Sequence, residues 1–205
     1  MKTTNFEAKS HEEAMIKAEE TLRVNRQYIK LDMSEKRSLF GLKKHFEVTA
    51  SIDVNLLQMG HELIENLLRN MGIDKVDINS KESKPYEFSY VVNTSHNPVI
   101  IGKNGRTLES IQFYIRNLLN IFTDERVIVL VDVGGYKANR KKQLEILATK
   151  TAKEVARSKV AVKLDPMNAY ERRIIHTKLS EWRDVSTKSE GEKNERYLVI
   201  KPKKS

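Results

Sequence analysis

The 205-residue sequence predicts an α+β protein made of three small domains. A chain of this length can form one large domain or two to three small ones. No long tract of Pro, Gly or Ser divides it, so the boundaries follow from changes in the helix and strand patterns and from Gly134-Gly135. The predicted element orders are βαββ over residues 1–54, αββααβ over residues 55–133 and αβαββ over residues 134–205.

The first domain is predicted from one helix and three strand patterns. Ser10 can cap a helix over residues 10–25, and Glu13 completes a capping box. The apolar turn Leu39-Phe40-Gly41-Leu42 carries a glycine hinge between the last two strands. Strand patterns lie at the start of the chain, over Tyr28–Met33 and over Phe46–Val54.

The second domain is predicted from six elements around a short glycine turn, Gly102–Gly105. A helical stripe begins at Leu56 and ends before Gly72, which can act as a C-cap. The nearly continuous apolar run Val127–Val133 predicts a last strand buried on both faces. The other elements are two strands and two helices, at Val76–Ile78, Tyr86–Val92, Pro98–Ile101 and Leu108–Phe122.

The third domain carries the excess positive charge of the chain. The formal net charge is +9, and residues 134–205 contribute +10 through 19 basic and 9 acidic residues. A concentrated basic surface is typical of proteins that bind a polyanion, most commonly nucleic acid, although a well-solvated lysine surface is the alternative. The predicted elements are a long helix, a strand, a second helix and two strands, at Lys137–Ser158, Val160–Val162, Pro166–Trp182, Val185–Thr187 and Tyr197–Ile200.

The turn Gly102-Lys103-Asn104-Gly105 predicts a contact with a nucleic-acid backbone. Its glycines let the main chain approach a ligand, and the N-terminus of the next helix attracts phosphate. Lys103 and Arg106 add charge, and Val99, Ile100 and Ile101 can line a groove for unstacked bases. An ordinary turn is the alternative for GxxG alone. The αββααβ context favours a KH domain of the second topological type, which clamps about four nucleotides of single strand.

The helix after Pro166 gathers cationic side chains on one face. Arg172 and His176 are four residues apart, so they share that face. At about 100° per residue Arg183 falls between them, with Arg173 and Ser180 beside them. Such a face can bind phosphates or a stacked base. The alternative is an ordinary solvated helix face with no ligand. The opposite, apolar arc is predicted to hold Tyr170, Ile174, Ile175, Leu179 and Trp182, and Lys178 interrupts it.

These motifs resemble the bacterial Jag family. The resemblance is strongest over Asp165–His176 and Thr187–Glu192, and the run Ile101–Leu108 is similar to the KH loop of the family. The chain departs from the family loop at two positions, with Asn104 where a basic residue is common and Arg106 where an uncharged polar residue is usual. Further matches cover the Jag domain and the start of the last domain, at Phe40-Gly41-Leu42, Tyr136 and Arg140.

The resemblance implies a non-catalytic RNA-binding protein with a regulatory or chaperone role. It also implies links to the cell envelope through a membrane insertase, sporulation or cell-wall growth, and pairing with a second, small KH protein; a homodimer is a further possibility. The residues expected to contact nucleic acid are Ile101, Gly102, Lys103, Asn104, Gly105, Arg106, Arg140, Lys141, Arg172, Arg173, His176 and Arg183.

Several classes of function are disfavoured by what the sequence lacks. The chain has no Cys, which excludes disulfides, thiolate zinc sites and a cysteine nucleophile and fits a reducing cytoplasm. It has no HExxH, GxSxG or Walker A motif, so we expect no enzymatic activity, metal or cofactor. It also has no apolar run of membrane-spanning length and no apolar signal core at its start, so we expect a cytoplasmic protein.

Two alternatives to RNA binding stay open. The nearly neutral N-terminal domain can be the partner-binding surface of a protein-interaction adaptor, in which RNA binding is secondary. Single-stranded DNA is the other candidate ligand, because the preference for a 2′-hydroxyl cannot be read from sequence.

Overall fold

A computed structural model describes residues 2–37 and 44–203. The predicted turn Leu39-Phe40-Gly41-Leu42 lies outside the described residues. Helices and strands are both abundant, which confirms the α+β class, and the chain forms two compact units, residues 1–134 and 135–205. The three-domain division of the chain stays a prediction. Within the described ranges, no helix is both long and apolar enough to cross a membrane.

The first elements have the predicted order βαββ. The side chain of Ser10 accepts a hydrogen bond from the backbone N–H of Glu13, which starts the helix as the sequence predicts. The helix ends earlier than predicted because Arg23 adopts a left-handed conformation with φ 56°. The strands form an antiparallel sheet in the order β1-β3-β2. The bounds are β1 Thr3–Ala8, α1 His11–Leu22, β2 Ile29–Arg37 and β3 Lys44–Ile52.

The next elements follow the predicted order αββααβ. The sheet order is β4-β5-β6, with β4 antiparallel and β6 parallel to the central strand β5. A parallel pair requires a crossover, and the two helices α3 and α4 supply it. The bounds are α2 Leu56–Asn70, β4 Asp77–Lys84, β5 Glu87–Asn93, α3 Asn97–Ile101, α4 Arg106–Leu119 and β6 Ile128–Val133.

The prediction that the last strand is buried on both faces is wrong. Val129, Val131 and Val133 are buried, whereas Ile128 and Leu130 are 39% and 52% exposed. The reason is that only one face of this sheet is covered, so burial alternates along β6 with the strand period of two, as it does along the central strand β5. An apolar run alone does not distinguish this arrangement from a fully covered strand.

A close contact between α2 and β5 helps to fix the helices that carry the glycine turn. Tyr90 is fully buried, and its hydroxyl donates a hydrogen bond to the backbone carbonyl of Leu57 at 3.2 Å. Burial raises the pKa of this phenol. The ring passes so close to α2 that a Cβ at Gly60 would lie 2.0 Å from the Tyr90 hydroxyl oxygen and 3.3 Å from Leu119 of α4. Glycine at this helix position therefore permits the packing of α2 on β5.

The C-terminal unit has the predicted order αβαββ around one hydrophobic core. Its sheet is antiparallel in the order β7-β9-β8. The second helix begins three residues later than Pro166, because Asn168 caps it by accepting a hydrogen bond from the Glu171 backbone N–H at 2.9 Å. The bounds are α5 Tyr136–Ser158, β7 Val162–Lys163, α6 Ala169–Leu179, β8 Val185–Glu190 and β9 Tyr197–Pro202.

Candidate nucleic-acid interface

The turn Gly102–Gly105 joins α3 to α4 through backbone conformations that favour glycine. Gly102 has φ 69° and ψ −177°, a region that residues with a side chain rarely adopt. A Cβ at this position would lie 2.1 Å from the hydroxyl oxygen of Thr107. Gly105 has φ 77° and occupies the N-cap of α4. The turn therefore presents bare backbone beside the first turn of a helix.

The polar residues of this turn lie together beside the start of α4. Lys103 and Arg106 are exposed, and Asn104 is half-buried in a left-handed conformation with φ 55°. Because the N-cap residue Gly105 has no side chain, the backbone N–H groups in the first turn of α4 donate no hydrogen bond to an N-cap side chain. These groups, the positive end of the helix dipole and the two cations form an arrangement that suits a phosphate oxygen.

The predicted apolar lining of this site is only partly correct. Ile100 is 1% exposed and belongs to the core, so it cannot contact a ligand. Val99 is 54% exposed, and Ile101 is half-buried at the end of α3. The three residues lie in the short helix that the sequence predicts, so their consecutive side chains point in different directions.

A second polar site follows the line where α6 meets β8. We call it the α6–β8 seam and define it by Arg172, His176, Thr187, Ser189 and Arg196. Nδ1 of His176 lies 2.6 Å from the hydroxyl oxygen of Thr187, within hydrogen-bond distance. This contact orients the exposed imidazole and leaves Nε2 as the ring nitrogen for a ligand.

The seam contains two guanidinium groups whose charges interact. Nη1 of Arg172 donates to the carbonyl of Met167 at 2.7 Å, and the backbone N–H of Met167 donates to the carbonyl of Arg196. Burial, followed by the charge of Arg196, lowers the pKa of Arg172. Arg196 itself donates from Nε to the hydroxyl of Ser189 at 3.1 Å. Two neighbouring cations that repel each other form a favourable place for an anion.

Arg183 does not lie where the helical period predicts it. The helix α6 ends at Leu179, and a turn closed by the Trp182 backbone N–H on the Leu179 carbonyl follows it. Extrapolation at 100° per residue therefore does not apply to Arg183, which is exposed beyond the helix end. The contact of Arg183 with nucleic acid stays a prediction, but the helical period no longer supports it.

Comparison with known proteins identifies both sites as parts of known domains. Residues 59–135 match the KH domain family model. Residues 142–202 match the model of the domain family named for an arginine and a histidine separated by three residues. The chain is 33% identical over 203 residues to the RNA-binding protein KhpB of Clostridium symbiosum, a match that covers 96% of this chain and 90% of the relative. The chain belongs to the KhpB family, also called Jag.

Other members of the KhpB family match over shorter segments. The RNA-binding protein KhpB of Bacillus subtilis is 35% identical over 132 residues, 63% of either chain. That of Lactiplantibacillus plantarum is 36% identical over 108 residues, which cover 53% of this chain and 34% of the relative. The type III secretion protein EscJ of enteropathogenic E. coli is a solved structure with a TM-score of 0.23 and 9% identity, covering 65% of this chain and 99% of its own. That likeness is too low to bear on the fold.

Arg140 of this KhpB-family chain has a structural role. Its Nε donates to a carboxylate oxygen of Glu171 at 2.7 Å, and the two side chains are only 21% and 6% exposed. This ion pair links α5 to α6. Burial raises the pKa of the phenol of Tyr136, one helical turn before Arg140. The arrangement indicates that Arg140 positions α6 and that its charge is already paired with Glu171. A contact between Arg140 and RNA stays a prediction.

The placement of Tyr170 on the apolar arc of α6 is wrong. The side chains that α6 buries are Glu171, Ile175 and Leu179, spaced four residues apart, and Tyr170 is 65% exposed. Because one of the three buried side chains of α6 is a carboxylate, the positions of the apolar residues alone do not show which face of the helix is buried. Lys178, which interrupts the predicted arc, is exposed for the same reason.

Sequence reasoning missed several residues of the two sites. Thr187 and Ser189 come from β8, and Arg196 directly precedes β9. The pairing of these two strands beside α6 brings them to the seam. Glu171 was missed because a carboxylate in a charged helix is normally exposed. Its place inside Asp165–His176, where the family resemblance is strongest, was the signal in the sequence.

Proposed function

We propose that this KhpB-family protein binds single-stranded RNA without catalysing a reaction, through the KH turn and the α6–β8 seam. The observation that carries the proposal is the turn Gly102–Gly105, whose bare backbone opens onto the uncapped start of α4 inside the αββααβ topology. KH domains of this layout hold about four unpaired nucleotides. The names of the relatives support RNA as the ligand.

In the proposed KH contact, backbone N–H groups at the start of α4 donate to phosphate oxygens. Lys103 and Arg106 supply the neighbouring positive charge, and the exposed Val99 contacts an unstacked base. Helix N-termini bind anions through their free N–H groups and dipole. The contact is therefore to backbone more than to base edges, so it positions the strand with limited sequence selectivity.

In the proposed seam contact, a phosphate lies between Arg172 and Arg196. The repulsion between the two guanidinium groups is relieved when an anion is shared, and His176 donates from Nε2 or stacks on the adjacent base. Each site alone is a weak binder. Because both are on one chain, binding at one raises the effective concentration at the other.

The finer features of the family resemblance are also proposed for this chain. An aromatic patch on α4, formed by Phe113 and Tyr114, is 57% and 48% exposed, and the Arg116 guanidinium lies 5.3 Å from the Phe113 ring centre. This patch favours pairing with a second KH protein or a second copy of this chain.

A cytoplasmic location follows from action on transcripts. Links to a membrane insertase and to cell-wall growth, an adaptor role of the N-terminal domain and binding of single-stranded DNA stay predictions.

A direct test of the proposed function compares ligands and variants. The affinities of the full chain for single-stranded RNA, the matching DNA and duplex RNA are measured beside those of Lys103→Asp/Asn104→Asp. The matched control is Lys75→Asp/Asn79→Asp, which introduces the same charge at two exposed positions away from the turn. We expect a preference for single-stranded RNA that is lost only in the first variant. Equal binding of all three ligands by all three proteins would refute the KH contact.

A further inference from the structure

A groove of about 550 Å³ lies between α5 and α6 on a side of α6 that the seam does not use. At about 100° per residue, Tyr170 and Arg172 lie about 200° apart around the helix. The groove and the seam are therefore separate surfaces of the same unit. The side chains that form the groove include Lys141 and Glu145 of α5 and Tyr170, Arg173, Ile174 and Lys178 of α6.

Tyr170 gives this groove an aromatic wall. The ring is 65% exposed, the largest exposure among the large aromatic side chains of the described residues. Ile174, one helical turn later, is half-buried and extends the apolar surface beside it. A single exposed apolar residue is common on a protein surface. An exposed ring in a groove lined by cations is the combination that ligands with flat bases and phosphates require.

The charges around the ring complement such a ligand. Within the described residues, Lys141, Arg173 and Lys178 form no ion pair, whereas other cations of the unit do, as in Arg140 with Glu171 and Lys201 with Glu190. The carboxylates of Glu145 and Glu181 also line the groove. They disfavour a phosphate in its centre, but they can accept hydrogen bonds from the amino groups of a base.

We infer that the α5–α6 groove binds one unstacked base of single-stranded RNA on the Tyr170 ring, with the adjoining phosphates on Lys141 and Arg173. The inference rests on the proposed RNA binding and adds a third contact to it. Stacking is sequence-tolerant, because every base presents a flat face. The two cations beside the ring provide the electrostatic part of the contact, and the ring provides the part that salt does not screen.

The test measures the affinity of the full chain for a single-stranded RNA in the variants Tyr170→Ala and Tyr170→Phe over a range of salt concentrations. Loss of one base–aromatic stack weakens binding about tenfold. We expect that loss in Tyr170→Ala, with an unchanged dependence of affinity on salt, and near-intact binding in Tyr170→Phe. Lys141→Ala should lower the salt dependence by about one ion. The control is Ile146→Ala, at a 68% exposed position of α5 that does not line the groove.

The outcomes separate this inference from the function on which it rests. If Tyr170→Ala binds RNA as the intact chain does while Arg172→Ala/His176→Ala binds weakly, the groove is not an RNA contact and the proposed function stands. If the intact chain does not bind single-stranded RNA, the proposed function itself fails. Equal loss in Tyr170→Ala and Tyr170→Phe would also overturn the stacking mechanism, because the ring is retained in the second variant.

Discussion

Arg172 and Arg196 differ from Arg140 in how the fold balances their charges. Arg172 donates to a backbone carbonyl, Arg196 donates to a serine hydroxyl, and no carboxylate within the described residues forms an ion pair with either. Burial and, to a smaller extent, the charge of Arg196 lower the pKa of Arg172, so a phosphate between the two guanidinium groups would relieve their repulsion. Arg140 is the opposite case, since its charge is matched by Glu171 inside the fold.

Arg196→Gln should therefore change binding and stability in opposite directions. We expect weaker binding of single-stranded RNA, with the salt dependence lowered by about one ion, because one phosphate contact is lost. The free energy of unfolding should stay equal or rise slightly, because a like-charge repulsion is removed. Salt titrations of affinity and thermal unfolding measure the two quantities. Arg157→Gln, at an exposed position near the end of α5, is the control, and an equal effect of both variants on RNA affinity would contradict the seam.

Glu171→Gln should destabilise the C-terminal unit. Removing one partner of a largely buried ion pair leaves Arg140 without its counter-charge, at a cost of about 2 kcal/mol after allowing for the partial exposure of that side chain. Chemical denaturation measures the loss. The double variant Arg140→Met/Glu171→Met should recover most of the stability, and its RNA affinity shows whether Arg140 also contacts RNA. A neutral effect of Glu171→Gln would contradict the structural role of the pair.

The site residues that the sequence predicts best are those whose requirements are local. Gly102 and Gly105 are favoured by their own backbone conformations, and the Thr107 side chain leaves no room for a Cβ at Gly102, so a short motif contains the information. Thr187 and Arg196 cannot be predicted in this way, because they reach the seam through strand pairing. The sequence therefore does not predict site residues whose contacts depend on elements that are distant in sequence.

At the scale of elements, helices and strands were predicted from periodicity, and their errors have physical causes. Arg23 ends α1 through a left-handed conformation that its residue type does not announce. Leu179 ends α6 before the apolar pattern does. The sheet face that β6 leaves uncovered depends on how many helices pack on the sheet, which no single strand pattern contains.

Gly60→Ala tests how firmly α2 is seated on β5. Alanine is normally the better helix former, so an isolated helix would gain stability from the change. Here a Cβ would lie 2.0 Å from the Tyr90 hydroxyl oxygen, and we expect the free energy of unfolding to fall by about 1–3 kcal/mol. Denaturant titration measures the change. Asn66→Ala, at an exposed position of the same helix, should be neutral or slightly stabilising, and similar values for both variants would refute the close packing.

At the scale of the whole molecule, the two proposed sites lie in different units of one chain. The KH turn lies in the first compact unit and the seam lies in the second, and each is built from its own elements. Most of the net positive charge belongs to residues 134–205, so the second unit supplies most of the long-range attraction for a polyanion. On the proposed two-site account, the tether between the units would make a long RNA bind more tightly than either site alone would allow.

Binding to single-stranded RNA should weaken steeply as salt increases. Phosphate contacts release condensed counterions, so four to six of them would lower the affinity by about two orders of magnitude or more between about 50 and 200 mM salt. Titrations with one labelled RNA at several salt concentrations measure the slope. An affinity that stays flat over this range would show that the cations at the turn and the seam do not contact phosphate.

The most direct test of the central claim is a double-variant cycle on RNA affinity. One labelled single-stranded RNA is titrated with the intact chain, with Lys103→Asp/Asn104→Asp, with Arg172→Ala/His176→Ala and with the combination of all four substitutions. If both sites bind the same strand, each pair of substitutions weakens binding and the combination leaves only non-specific affinity. If either pair leaves the affinity unchanged, that site does not bind this RNA, and the two-site account is contradicted.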